Sequence, residues 1–108
     1  MSNQSFGGAI ASARKKASMS QKELAEKIFV EESEAKSISP QYLNDIEHDR
    51  RNPSSHHLVT QFASILSLDP EYLAFLAGRW PEQLRKAIEN EDQFKEAIAA
   101  FRKHVQGR

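Results

Sequence analysis

A segment near the middle of the chain combines a clear helix start with side chains that can bind nucleic acid. Residues 39–53 read SPQYLNDIEHDRRNP. Ser39 can accept a hydrogen bond from a first-turn amide, and Pro40 suits the first helical position. Leu43 and Ile46, three residues apart, give the helix a single apolar stripe. The segment therefore predicts a short helix that packs through one face and turns its polar side chains elsewhere.

The polar side chains of this segment are of types that bind DNA. The residues off the apolar stripe or directly after the helix are Gln41, Asn44, Asp45, His48, Arg50 and Arg51. A helix that presents amides can enter the major groove while the arginines bind phosphate. The less specific interpretation is an exposed polar helix followed by a solvated charged loop.

Composition is that of one ordinary globular domain without special chemistry. The chain has 108 residues, no cysteine, and 15 Lys+Arg against 15 Asp+Glu, so any DNA affinity depends on local charge. No apolar run approaches the ~20 residues of a membrane helix, and residues 1–5 do not resemble a signal peptide. We expect a cytoplasmic protein that does not enter membranes.

No pattern of enzyme chemistry is present. The histidines, which lack the spacing of metal ligands, are His48, His56, His57 and His104. The sequence has no glycine-rich phosphate loop and no nucleophile paired with a base. We therefore expect no enzymatic activity, no cofactor and no metal.

The elements that must position the segment are predicted helices, so we expect an all-α fold. Phe6 and Ile10 mark a first helix that ends near Ala17, and Ser20 with Glu23 forms a capping box before a second. The polar stretch 29–37 either extends the second helix or forms a loop.

Two more helices follow the segment. Ser54 or Ser55 starts the fourth, whose apolar residues on one face are Leu58, Phe62, Ile65 and Leu66. Asp69 caps the fifth, with Pro70 at its first position and Gly78 past its end. The apolar residues within this fifth helix are Tyr72, Leu73, Phe75 and Leu76.

The tail after Trp80 carries apolar residues at spacings of three and four. They form a heptad-like seam with Glu91 at one unsuitable position, and the apolar members are Leu84, Ala87, Phe94, Ile98, Phe101 and Val105. The alternative is a separate last helix capped by Asn90, with Gln93 completing a capping box.

In this order, the predicted helices resemble the lambda-repressor-like helix-turn-helix domains of the Xre type. The resemblance rests on Arg14, on SQKELA at 20–25 and on YLNDIE at 42–47 leading into RRNPS at 50–54. It covers about residues 6–77. It implies a five-helix DNA-binding domain at 1–78, followed by a C-terminal helical extension at 79–108.

The resemblance also implies roles for individual residues. Gln21 would contact a DNA phosphate, or else is a solvated first-turn residue. The DNA-facing residues at the third helix would be Ser39, Pro40, Gln41, Tyr42, Asn44, Asp45 and His48. Among these, Gln41 can bond adenine and Asp45 can accept from cytosine, whereas Pro40 offers only apolar contact. Tyr42 either packs on the scaffold or reaches a phosphate.

Arginines at three positions take different roles under the resemblance. Arg50 and Arg51 would bind the DNA backbone and position the protein without reading sequence. Arg14 and Glu47 would form a partly buried ion pair that holds the third helix against the first. This pair is structural and is not a DNA contact.

The chain departs from the family pattern at two places. About eight residues are inserted between Ile28 and Ile38. The acidic side chains there must point away from DNA, or else the site differs from the usual one; they are Glu31, Glu32 and Glu34. Asp49 stands where the family has glycine after the third helix. Aspartate tolerates the left-handed conformation better than most residues, so we expect the turn to survive.

These features predict a sequence-specific DNA-binding regulator, most simply a dimeric repressor or autoregulator of an operator with two half-sites. The tail residues expected to join the two copies are Trp80, Leu84, Phe94, Ile98 and Phe101. The tail alternatively folds over its own core. The competing function is an antitoxin-type or protein-interaction module that binds a protein partner and binds DNA weakly or not at all.

Overall fold

A computed structural model describes residues 4–30, 36–53, 55–80 and 82–107. These residues form seven helices and no strand, so the described part of the chain is all-α. The helices are α1 (Phe6–Lys16), α2 (Gln21–Glu26), α3 (Pro40–Glu47), α4 (His56–Leu66), α5 (Pro70–Leu76), α6 (Glu82–Ala87) and α7 (Glu91–Gln106). None of the described helices has the length and apolarity needed to cross a bilayer.

Six of the seven described helices begin at a side-chain cap, and each of these caps except Ser5 is predicted from the sequence. The cap side chains accept hydrogen bonds from first-turn amides and belong to Ser5, Ser20, Ser39, Ser55, Asp69 and Asn90. Ser20 and Glu23 form both bonds of the predicted capping box. Of the two starts considered for α4, Ser55 is the cap, while Ser54 lies outside the described residues.

The tail is two helices, so a continuous seam is wrong and the alternative with Asn90 as cap is confirmed. Asn90 Oδ1 accepts from the Gln93 amide at 2.9 Å, which starts α7. In a capping box, Gln93 would accept from the amide of the cap residue Asn90. Its Oε1 instead accepts from the amide of the preceding residue, Glu89, at 2.6 Å. The cap interrupts the helix before Glu91, the position that did not suit the seam.

The stretch after α2 does not extend that helix. Phe29 and Ser37 form an isolated antiparallel bridge, and the Ile38 amide donates to the Ile28 carbonyl at 2.8 Å. Gln61 on α4 holds this bridge through two bonds to the Phe29 backbone, at 2.7 and 2.8 Å. The acidic side chains that are expected to point away from DNA lie outside the described residues; they are Glu31, Glu32 and Glu34.

One apolar core lies among α1–α5. Phe6 and Phe62 meet edge to face near its centre, with ring centroids 6.2 Å apart. The buried apolar residues are Phe6, Ala9, Ile10, Leu24, Ala25, Ile28, Ile38, Leu43, Ile46, Leu58, Val59, Phe62, Ala63, Leu66, Leu73 and Ala74. All of them precede the tail.

Three apolar residues of α4 and α5 lie outside this core. On α4, Val59 and Ala63 are buried, which turns the packed face away from Ile65 and leaves Ile65 exposed. On the short helix α5, the buried positions are Leu73 and Ala74. Tyr72 and Phe75 point outward there and stack on each other, with centroids 6.4 Å apart.

Candidate nucleic-acid interface

A charged pair beneath α3 fixes this helix to α1. Arg14 Nε lies 2.7 Å from Glu47 Oε2, and Arg14 Nη2 donates to Glu47 Oε1 at 3.0 Å. Arg14 Nη1 also donates to the Met19 carbonyl at 2.9 Å. The hydrogen bond that Arg14 donates to Glu47, together with the negative charge of Glu47, raises the pKa of Arg14 despite the opposing effect of burial. The guanidinium of Arg14 is therefore held charged, and its two-pronged contact with Glu47 orients the two side chains as well as joining them.

A glycine permits the close approach of α1 to the end of α3. A Cβ on Gly7 would collide with the Ile46 carbonyl oxygen and lie 2.8 Å from the Glu47 carbonyl oxygen. The Gly7 amide donates to Asp49 Oδ1 at 2.9 Å. Asp49 adopts φ +57°, so the predicted left-handed turn is confirmed. The sequence analysis does not predict this hydrogen bond between Gly7 and Asp49. The feature of the sequence that points to it is the aspartate at position 49, where the family pattern has glycine.

Two amides link α2 to α3 beside the charged pair. The Gln21 Nε2 group donates to Glu47 Oε1 at 3.0 Å and to Asn44 Oδ1 at 3.2 Å. Both hydrogens of this amide thus point into the protein. The link between Gln21 and Asn44, 23 residues apart in sequence, was not foreseen from their spacing.

The first turns of α3 present small polar groups outward. Pro40 and Gln41 are exposed, and Gln41 Nε2 donates to Asp45 Oδ1 at 3.1 Å. The Ser39 hydroxyl accepts from the Tyr42 amide at 3.0 Å as the helix cap. Tyr42 is partly buried against the core, which corresponds to the packing alternative for this residue.

The end of α3 carries two exposed arginines around one carboxylate. Arg50 Nε lies 3.3 Å from Asp45 Oδ1, and Arg51 Nε lies 3.9 Å from Asp45 Oδ2. The backbone amides of both arginines also donate to the Asp45 carbonyl, which fixes the chain as it leaves the helix. His48 ends the helix, with Nδ1 2.8 Å from the Asn44 carbonyl oxygen. Exposed ion pairs of this kind are weak, so a phosphate can replace the carboxylate.

The structure brings together the predicted DNA-facing residues but keeps the tail residues apart from them. Gln21 and the α3 residues share one region through the contacts described above. The large apolar tail side chains are exposed, and they are Trp80, Leu84, Phe94, Phe101 and Val105. Ile98 is partly buried, and Trp80 meets Phe94 edge to face at 6.2 Å. No described residue of α7 is buried.

Neither a metal-binding cluster nor a similarity to known proteins indicates a further function for the described residues. Within the described ranges, His, Asp and Glu side chains do not gather in groups of three or more that could hold a metal ion. No family model matches the chain, and searches of curated proteins and of solved structures found no significant match. The geometry of the surface around α3 is therefore the basis for a functional proposal.

Proposed function

We propose that this chain is a sequence-specific DNA-binding regulator of transcription with a lambda-repressor-like helix-turn-helix arrangement in α1–α5. One observation carries the proposal: α3 is anchored from beneath by Arg14 and Glu47, while its outer side offers amides and then two arginines. Rigid support below and hydrogen-bonding groups above are what reading a groove requires.

The roles divide by chemistry. Arg50 and Arg51 are exposed at the helix end and bind backbone phosphates, which sets the register of the protein on DNA. Gln41 reads adenine in the major groove. Asp45 accepts from Gln41 and lies beside Arg50, so it positions these donors in the free protein and can accept from a cytosine amino group.

Local charge, not net charge, supplies the attraction to DNA in this proposal. The whole chain is neutral, so long-range steering is weak. Asp45 lies beside the two arginines. The other acidic groups at this end of α3 have internal partners, since Asp49 accepts from Gly7 and Glu47 is paired with Arg14. Affinity therefore comes from few phosphate contacts, which favours two copies on two half-sites.

The second copy binds through the tail in this proposal. On α7, Phe94, Ile98, Phe101 and Val105 follow the spacing of one helical stripe. Three of these four are exposed, and burial against a partner removes them from water. The dimer then acts as a repressor or as an autoregulator.

A protein-interaction or antitoxin-type module on the same fold is the second candidate. The observation that favours it is Asp45, whose carboxylate lies between the two arginines and offsets their charge. The exposed aromatic residues Tyr72 and Phe75 on α5 add a surface suited to a protein partner.

Selection of bound sequences from a random duplex pool tests the proposal. We expect enrichment of an inverted repeat whose half-site centres are about 10 base pairs apart. If no sequence is enriched and no duplex is bound at low salt, the DNA-binding function is wrong and the interaction module is the remaining candidate. An enriched single half-site would keep DNA recognition and remove the dimer.

A further inference from the structure

Glu47 fixes the orientation of the Gln21 amide. A carboxylate that is paired with an arginine offers only acceptor oxygens, and Glu47 is paired with Arg14 at 2.7 Å. The end of the Gln21 amide that lies 3.0 Å from Glu47 Oε1 must therefore be its NH2 group. The carbonyl oxygen of the same amide points the other way.

The orientation passes from Gln21 to Asn44. The second hydrogen of the Gln21 NH2 group meets Asn44 at 3.2 Å, so the contacting atom of Asn44 must be the acceptor Oδ1. The NH2 group of Asn44 is consequently directed away from Gln21. Asn44 is partly exposed, and it adjoins Gln41 and Asp45 on the outer part of α3.

We infer that Asn44, and not Gln21, donates the hydrogen bond to a DNA phosphate where α2 meets α3. This inference rests on the proposed DNA-binding function and reassigns the phosphate contact that the resemblance gives to Gln21. A phosphate oxygen accepts and cannot donate, so the outward carbonyl oxygen of Gln21 repels it, whereas the Asn44 NH2 group matches it.

The position of Asn44 favours a phosphate over a base. Its amide contacts the first residue of α2, the helix that crosses the DNA backbone in this docking geometry. Gln21 is then a positioning residue, which holds the Asn44 amide in the one orientation that donates. The chain of contacts runs from Arg14 through Glu47 and Gln21 to Asn44.

Three variants of the full chain separate the two donors. Asn44→Leu removes the donor without adding charge and lowers affinity for the selected duplex by about tenfold or more. Asn44→Asp keeps an acceptor for Gln21 but turns an oxygen toward the DNA, so the loss is larger. Gln21→Met frees the Asn44 amide to take two orientations, of which one donates, and costs about twofold.

The pattern of losses decides the inference. The inference is overturned if Gln21→Met lowers the affinity for DNA by tenfold or more while Asn44→Leu binds like the unaltered protein. In that case Gln21 is the residue that contacts the phosphate. Repeating the duplex selection with Asn44→Leu supplies the second readout. An unchanged preferred sequence supports a phosphate contact, whereas a changed preference at one base pair overturns it in favour of base reading.

Failure of the inference is distinguishable from failure of the proposed function. If the unaltered protein selects no sequence, DNA binding itself fails. If it selects a sequence and Arg50→Ala weakens binding while Asn44→Leu does not, only the assignment to Asn44 fails. Asn44→Asp keeps the internal bond from Gln21, so it provides the comparison if circular dichroism shows that Asn44→Leu is unfolded.

Discussion

Single side chains determine how α3 is held, and the ion pair of Arg14 and Glu47 is largely shielded from water. Glu47 is 8% exposed and accepts from both Arg14 and Gln21. Loss of one partner leaves a buried charge without its counter-charge, and loss of both does not. The pair thus stabilises a particular seating of α3 more than it stabilises the chain as a whole.

Arg14→Met should lower the free energy of unfolding by about 3–5 kcal/mol, because Glu47 stays buried and unpaired. Adding Glu47→Leu should restore most of that loss, since the site is then apolar throughout. Urea denaturation of the two single variants and the double variant measures the coupling. Losses that simply add in the double variant would show that the two side chains do not depend on each other.

Gly7→Ala should be destabilising by about 1–3 kcal/mol or more, because the new methyl group meets carbonyl oxygens of α3 that cannot move independently. Gly8→Ala is the matched control in the same helix. Its methyl group would meet only the Ser5 hydroxyl, at 3.0 Å, and the gain in helix propensity offsets that contact. Thermal unfolding of both variants gives the comparison, and equal melting temperatures would contradict the close approach described here.

For residues on different helices, the sequence could indicate which side chains pair only where a known family pattern supplied the pairing. Arg14 with Glu47 was expected on that basis and is present in the structure. The bonds from Gln21 to Asn44 and from Gly7 to Asp49 join residues far apart in sequence, and no local periodicity encodes them. Tyr72 and Phe75 belong to an apolar pattern yet point outward, because α5 packs through Leu73 and Ala74. In a helix of two turns, the apolar pattern alone does not indicate which face packs.

Among whole helices, the short helix α2 depends on its capping box. The backbone amide of Ser20 and then its hydroxyl lower the pKa of Glu23 below the ordinary value of 4.5. A carboxyl whose pKa is lower in the folded protein stabilises the fold above its unfolded pKa. That contribution is lost as the pH falls through the folded pKa.

Glu23→Gln tests this pH dependence, because glutamine keeps a side-chain acceptor and does not titrate. We expect the unaltered protein to be the more stable of the two near neutral pH and to lose this advantage progressively below about pH 4.5. Urea denaturation of both proteins between about pH 3 and pH 7 measures the difference. A difference that is constant with pH would contradict the role of the ionised carboxylate.

Helix starts with a polar cap residue were the most predictable elements, because such a start depends on one residue next to the helix that it begins. The stretch after α2 was not predictable in the same way. Its bridge from Phe29 to Ser37 is fixed by Gln61 on α4, a contact across the fold. The two predictions for the tail, one continuous seam or a separate last helix, differ in whether Asn90 acts as a helix cap. Asn90 is the cap of α7, so the last helix is separate.

The assembly as a whole is proposed to be a dimer joined through the tail. Phe101→Glu places a charge in the middle of the apolar stripe of α7 and should convert the dimer to a monomer. Phe75→Glu is the matched control, because Phe75 is 67% exposed on α5 and Phe101 is 63% exposed on α7. Sedimentation equilibrium distinguishes them, and a Phe101→Glu variant that stays dimeric would remove α7 from the interface.

The central claim is that the outer surface of α3 binds duplex DNA, and the salt dependence of affinity tests it most directly. The comparison uses the selected duplex with the unaltered protein, Arg50→Ala and Lys103→Ala, which removes the same unit of charge from α7. We predict steep weakening with salt, a slope reduced by about one phosphate contact in Arg50→Ala, and no change in slope for Lys103→Ala. No binding at about 50 mM salt, or equal slopes for all three proteins, would contradict the claim.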